Sequence, residues 1–169
     1  MTEDIARTPV TSPSGAYFSS ASDSEVRWMG QTFTHFLATG MSTSDQFCLV
    51  EETAKRGEGI PLHRHIEDVE SFYVLDGKIR FYLDDQSGID AHTGTFVHVP
   101  AGTVHGFRIA SDTARYLILT TPRHGEFYRA ISVPAGSDGL PASYDVDWDK
   151  IIATAQEFGI ELIGDLPEE

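Results

Sequence analysis

A chain of 169 residues, 40% hydrophobic and 22% charged, is long enough for one buried core that needs no covalent staples, and its single cysteine, Cys48, excludes an internal disulfide. Twelve Lys and Arg against 26 Asp and Glu leave a formal charge of −14, a field that repels phosphate backbones and anionic lipid, so no nucleic acid and no membrane partner is expected. No apolar run approaches the roughly 20 residues of a membrane span. Lone-cysteine usage and the lack of a basic, apolar-cored leader over residues 1–11 point to a cytoplasmic location.

Residues 1–25 are rich in Ser, Thr, Pro and Ala, with Tyr17 and Phe18 as the sizeable apolar anchors, and read as an N-terminal arm that is partly flexible. From residue 26 to 121 the pattern changes to short β-branched and aromatic runs broken by Gly, Pro and Asp, the signature of an antiparallel all-β unit. Strands are expected at 26–29, 32–38, 46–53, 70–75, 78–83, 89–91, 95–99, 104–109 and 115–120, a number that suits a closed barrel or jelly roll. Asp76-Gly77 between two apolar runs predicts a two-residue type I′ hairpin. Beyond the barrel, residues 122–169 read as a helical extension packing on it. Phe127 and Ile131 lie four apart before Pro134, the spacing of a short helix. A second helix is expected to start at an Asp147 cap, carry Trp148, Ile151, Ile152, Ala155 and Phe158 on one face, and stop at Gly159. Nine acidic residues between Asp138 and Glu169, opposed by Lys150 alone, read as a solvated acidic face.

The chemistry concentrates in two segments. In GEGIPLHRHIEDVESFYVLDG, residues 57–77, His63 and His65 are two apart and point to one face of a strand, while Glu70 opens the next strand on the parity of Phe72 and Val74. In GTFVHVPAGTVHGFRI, residues 94–109, a Pro100-Ala101-Gly102 turn brings His105 to the start of another strand. Three imidazoles and one carboxylate suit one divalent first-row transition metal per chain, Fe, Ni, Mn or Co, with Zn or Cu as further options, and leave up to two positions open on an octahedral ion.

These residues resemble the two motifs of the cupins. Gly57, His63, His65, Glu70 and Gly77 match the first motif, and Gly94, Pro100, Gly102 and His105 match the second, with Ile109 standing where the family has Asn. The resemblance implies a double-stranded β-helix, a jelly-roll barrel here followed by short C-terminal helices, and metal ligation by His63, His65, Glu70 and His105. Further likeness, at GAYF of residues 15–18, HRHIEDVESFYVLDGKIRFYL, VPAGTVHGFR and the terminal EFGIELIGDLP, resembles the small single-domain quercetinases, the quercetin 2,3-dioxygenase group. That likeness implies a dioxygenase whose small-molecule substrate, a flavonol or similar enolizable aromatic, binds the metal through its 3-hydroxyl. Dioxygen then opens the heterocycle with release of carbon monoxide, and Glu70 is the catalytic base.

Other cupin metalloenzyme reactions, such as diketone cleavage, isomerisation or lyase chemistry, remain open at this stage, as does a non-catalytic small-molecule-binding role. Strand parity places Phe72, Phe96 and Phe107 on an interior wall, with His98 on the parity of Phe96, and Tyr17 and Phe18 are placed to fold over the barrel mouth; these six are the expected substrate-pocket residues. His35, His92 and His124 lie outside both motifs and show no ligand spacing among themselves. Cys48 reads as a small buried hydrophobe. A homodimer is expected, because exposed strands in such barrels pair with a second copy and two-fold dimers are the commonest soluble assemblies.

Overall fold

The computed structural model describes residues 10–11, 15–85, 87–143 and 145–168. The expected N-terminal arm therefore lies partly outside the described residues. Within them, β1 (Val10–Thr11) pairs with β2 (Tyr17–Phe18), and a short 3-10 turn at Ala21–Asp23 leads into β3 (Glu25–Met29) and β4 (Thr32–Ala38). The barrel strands follow as β5 (Cys48–Lys55), β6 (Gly59–His65), β7 (Glu70–Asp76), β8 (Lys78–Leu83), β9 (Ile89–His92), β10 (Phe96–Val99), β11 (His105–Ile109) and β12 (Thr113–Thr120). Helix α1 (Pro122–Ile131), β13 (Val133–Pro134), α2 (Trp148–Glu157) and β14 (Ile160–Gly164) complete the order.

Two antiparallel sheets face each other as a jelly roll, one ordered β10-β7-β12-β5-β4-β3-β13 and the other β14-β6-β11-β8-β9. Alternation along the strands decides what lies between them. On β5, Cys48, Val50, Glu52 and Ala54 are buried while the residues between them are less so, and on β12 the buried set is Ala114, Tyr116, Ile118 and Thr120. With Phe36, Phe72, Val74, Ile79, Phe81, Phe107 and Ile109 these side chains form one core, in which the rings of Phe72, Phe81 and Phe107 meet edge-on or tilted at 5.0–5.6 Å.

Two expectations about connections are corrected. Asp76-Gly77 joins β7 and β8, yet these strands belong to opposite sheets, so the pair turns a corner of the barrel and does not close a hairpin. A type I′ turn needs positive φ at both residues; Gly77 has it (83°) and Asp76 does not. Glycine is required there for a second reason, since a Cβ would collide with the carbonyl oxygen of Thr113. The segment after Gly159, expected only as a helix stop, instead forms β14. The positive φ of Gly159 (70°) turns the chain back from α2, and Ile160 and Leu162 then pair opposite His65 and His63 along the free edge of β6.

Both expected helices form. Asp147 caps α2 by accepting from the backbone N–H of Lys150, and Thr121 caps α1 by accepting from that of His124, with Pro122 at the first helical position. Phe127, Ile131, Ala155 and Ile160 make a smaller apolar cluster that joins α1, α2 and β14 at one end of the barrel. Gly125 of α1 packs so closely on Cys48 of β5 that a Cβ there would overlap the sulfur, and burial pushes the Cys48 thiol up to about 11, which keeps it an inert apolar group. Among the described residues no helix is long and apolar enough to cross a membrane.

Candidate metal centre

His63 and His65 close β6 and His105 opens β11, where it lies directly opposite His63, so one sheet presents three imidazoles to the interior. Glu70 opens β7 in the other sheet, opposite Thr120. The short link 66–69 between His65 and Glu70 thus carries the chain from one sheet to the other. Three contacts clamp it: Ile66 N–H donates to the Gly159 carbonyl (2.9 Å), the Thr120 hydroxyl to the Val69 carbonyl (2.7 Å), and the Thr121 hydroxyl to the Asp68 carboxylate.

All four side chains are buried, and their donor atoms lie within 4.8 Å of one another. Glu70 Oε2 stands 2.8 Å from His105 Nε2, 3.1 Å from His65 Nε2 and 4.0 Å from His63 Nε2, while the His63 and His65 Nε2 atoms are 3.1 Å apart. Donors at about 2.1 Å from a first-row ion are separated by about 3 Å when at right angles and about 4.2 Å when opposite, so the contacts of 2.8–3.1 Å fit adjacent positions around one ion and the 4.0 Å His63–Glu70 pair comes near opposite ones.

Tautomers support the fit. His63 Nδ1–H donates to the Pro61 carbonyl (2.8 Å) and His105 Nδ1–H to the Thr103 carbonyl (3.0 Å), which leaves both Nε2 lone pairs aimed inward. Nitrogen and carboxylate oxygen donors converging this closely repel one another unless a proton or a metal cation lies among them. The cluster could therefore hold a divalent metal.

Electrostatics inside the cluster follow from burial and charge. Burial drives the His63 imidazole down to about 4, helped by His105. Burial also lowers His105, but the hydrogen bond and charge of Glu70 outweigh it and the group rises. For Glu70, burial pushes the carboxyl up, yet His124, His105 and His65 together hold it well below the usual carboxylate range.

Two residues beside the cluster, both on α1, escaped the sequence reading. Tyr128 donates its hydroxyl to Glu70 Oε1 at 2.8 Å. His124, expected to lie apart from the chemistry, is buried with its ring 4.3 Å from that of His65 and Nδ1 3.6 Å from Glu70 Oε1. Its Nδ1 is 2.9 Å from the Thr120 hydroxyl, whose own proton goes to Val69, so His124 donates there, and burial pushes it down to about 3 against the charge of Glu70. His124 is not in the converging set and acts as packing behind His65. The overlooked signal was helical: 124, 127, 128 and 131 lie on one face of α1.

From the cluster a cavity of about 90 Å³, enough for several waters, runs between the barrel and the two helices. His63, His65 and Glu70 of the cluster line it together with Glu52, Tyr116 and Tyr128, and its apolar lining includes Met29, Ile60, Phe127, Ile131, Ile151 and Leu162. Of the six expected pocket residues, Phe107 lines this cavity. Phe72 is sealed in the core against Phe81. Phe96 (63% exposed) and His98 face outward, because on β10 it is Val97 and Val99 that turn toward the core; His98 Nδ1 meets the Ser71 hydroxyl at 2.8 Å on that outer face. Phe18 is 85% exposed, and the Tyr17 hydroxyl meets Ser42 at 3.0 Å instead of closing over the barrel mouth.

A two-sheet jelly roll with three histidines and a glutamate at one end defines a cupin, and the cupin-domain family model matches residues 50–120. Residues 50–120 thus form a cupin domain. The chain resembles quercetin 2,3-dioxygenase of Bacillus subtilis, with 30% identity over 136 residues, 79% of this chain and 40% of that protein; the chain thus spans less than half the length of that relative. Among solved structures, an RmlC-like cupin from Shewanella frigidimarina superposes with a TM-score of 0.57 at 18% identity, over 65% of this chain and 94% of the other. The polyketide cyclase RemF from Streptomyces resistomycificus does so with a TM-score of 0.54 at 26% identity, over 61% of this chain and 77% of the other.

Proposed function

We propose that this cupin is a metal-dependent dioxygenase that cleaves a flavonol such as quercetin, or a similar enolizable aromatic, at the His63, His65, Glu70 and His105 centre. The observation that carries the reading is that buried set opening into an apolar cavity, and the 30% identity to a quercetin 2,3-dioxygenase supports it. A divalent ion held there would supply Lewis acidity toward the substrate hydroxyl and a binding position for dioxygen.

The remaining work falls to the chain. Glu70 directs Oε2 at the imidazoles and Oε1 toward α1, so Oε1 is the atom that accepts the substrate's hydroxyl proton. Tyr128 holds Oε1 in place by donating to the carboxylate, and rotates to accept once Oε1 carries the proton. Phe107, Phe127, Ile131 and Ile151 give a flat aromatic apolar contact and keep water from the reacting atoms. The exposed apolar face of the larger sheet, at Tyr73, Phe96 and Leu119, is the surface assigned to a homodimer, which sedimentation of wild type and Phe96→Ser would test.

Dioxygen uptake and carbon monoxide release with quercetin are to be measured on protein loaded separately with Fe, Mn, Co and Ni, with metal content determined in the same samples. The expected result is uptake that follows metal occupancy, and a Glu70→Gln variant that keeps metal and loses turnover. Fully loaded protein that consumes no dioxygen with quercetin overturns the proposal and favours another cupin reaction, for which the 26% identity to a polyketide cyclase is the opening.

A further inference from the structure

A second carboxyl faces the cavity and takes no part in the metal cluster. Glu52, in the middle of β5, is 3% exposed and lines the cavity together with Tyr116 and Phe107. Strand pairing places it opposite Thr34 on β4 and Tyr116 on β12, and its bonded partners are those two hydroxyls, with Thr34 Oγ1 3.1 Å from Oε1. The charge that acts on it is Glu70, which has the same sign.

An ionised carboxylate in such a place needs a cation or several donors, and two hydroxyls are few for its four lone-pair positions. Burial accordingly raises the group to about 7, and the hydrogen bonds of Tyr116 and Thr34 offset this only in part. The neutral form offers one O–H donor beside one carbonyl acceptor, a pattern that an aromatic hydroxyl satisfies in both directions. Apolar lining alone does not distinguish a hydroxylated ring from a bare one, because a hydrophobic pocket rejects an added hydroxyl only weakly; a buried acid at a fixed point does distinguish them.

We infer that Glu52 is a specificity-determining residue, a buried carboxylic acid that exchanges hydrogen bonds with a ring hydroxyl of the aromatic substrate at a point of the cavity separate from the metal centre. The inference rests on the proposed flavonol reading for the kind of substrate, and on the placement of Glu52 for the recognition.

The test compares metal-loaded wild type, Glu52→Gln and Glu52→Leu with three probes: quercetin, a flavonol lacking the two hydroxyls of its pendant ring, and 3-hydroxyflavone, which lacks every other ring hydroxyl as well. Both kcat/KM and anaerobic binding by fluorescence quenching are read, with metal content and melting temperature alongside. Wild type is expected to favour quercetin over 3-hydroxyflavone by about tenfold or more, the worth of one good hydrogen bond. In Glu52→Leu this preference falls to near unity, mainly through loss of quercetin affinity, while metal content stays at the wild-type level; Glu52→Gln, which keeps a donor and an acceptor, retains part of it. An unchanged preference in folded, metal-loaded Glu52→Leu overturns the inference. If wild type binds these compounds without turning them over, the dioxygenase reading fails and the binding ratios still decide the role of Glu52. If it binds none of them, both fall.

Discussion

Replacing Tyr128 with Phe removes one oxygen atom and tests how the helical cap serves the metal centre. The Tyr128 hydroxyl is 2.8 Å from Glu70 Oε1, and the next group, His124 Nδ1, is 3.6 Å away with its proton directed at Thr120. Without the hydroxyl, Oε1 has no partner at hydrogen-bond distance among these groups. The ring itself stays packed, 4.4 Å from the His124 ring, so the substitution isolates the hydrogen bond from the packing. A hydrogen bond to a charged group is worth about 1.5–3 kcal/mol. At 1.4 kcal/mol per tenfold this is about 10- to 100-fold, the range also found when a partner that orients a metal ligand is removed. Affinity for Mn or Ni, measured by competition with a chelator at fixed pH, is expected to weaken by that factor, and a cobalt-loaded sample is expected to show altered ligand-field bands. An affinity within twofold of wild type would refute the claim that Tyr128 fixes the Glu70 carboxylate.

Two further perturbations probe other parts of the fold. Gly77→Ala places a side chain at positive φ and against the Thr113 carbonyl, so a loss of about 1–3 kcal/mol is expected in denaturant unfolding, and an unchanged midpoint would show that the corner between the sheets relaxes freely. For Glu52 the folded-state value of about 7 stands above the ordinary 4.5, so the folded chain holds the proton more tightly between them. The associated stability is fully present below pH 4.5 and lost as pH rises through 7; the gap corresponds to about 3 kcal/mol. Relative to Glu52→Gln, wild type is expected to lose stability by an amount of that order between pH 4.5 and 8, and parallel profiles for the two proteins would contradict it.

The four clustered side chains were legible in the sequence because much of the information that places them is local. His63 and His65 share a strand face by parity alone, Glu70 opens the next strand on the parity of Phe72 and Val74, and a Pro-Ala-Gly turn delivers His105 to the start of a strand. The all-β pattern, the Asp147 cap and the turn at Gly159 are likewise properties of a few neighbouring residues. What failed was whatever depended on a partner distant in the chain. Parity states that Phe96 and His98 share a face, but which face meets the core is fixed by pairing with β7, and that pairing turns Val97 and Val99 inward. Asp76-Gly77 looks like a hairpin until the sheets are assembled and its two strands part.

The helices show the same division. Sequence spacing gives α1 an apolar face at Phe127 and Ile131, but only the docking of that face on the barrel end brings His124 against His65 and the Tyr128 hydroxyl to Glu70, 58 positions away in the chain. Glu52 reads as one of two adjacent acids on an alternating strand, and its burial between Thr34 and Tyr116 appears only when β4, β5 and β12 lie side by side. The sequence by itself determined the fold class and the four side chains of the cluster, since each rests on strand parity and on motif spacing within a short segment. The second carboxyl, the tyrosine that anchors the first, and the shape of the cavity between them were decided by tertiary packing, because only there do residues from separate strands and helices line one cavity.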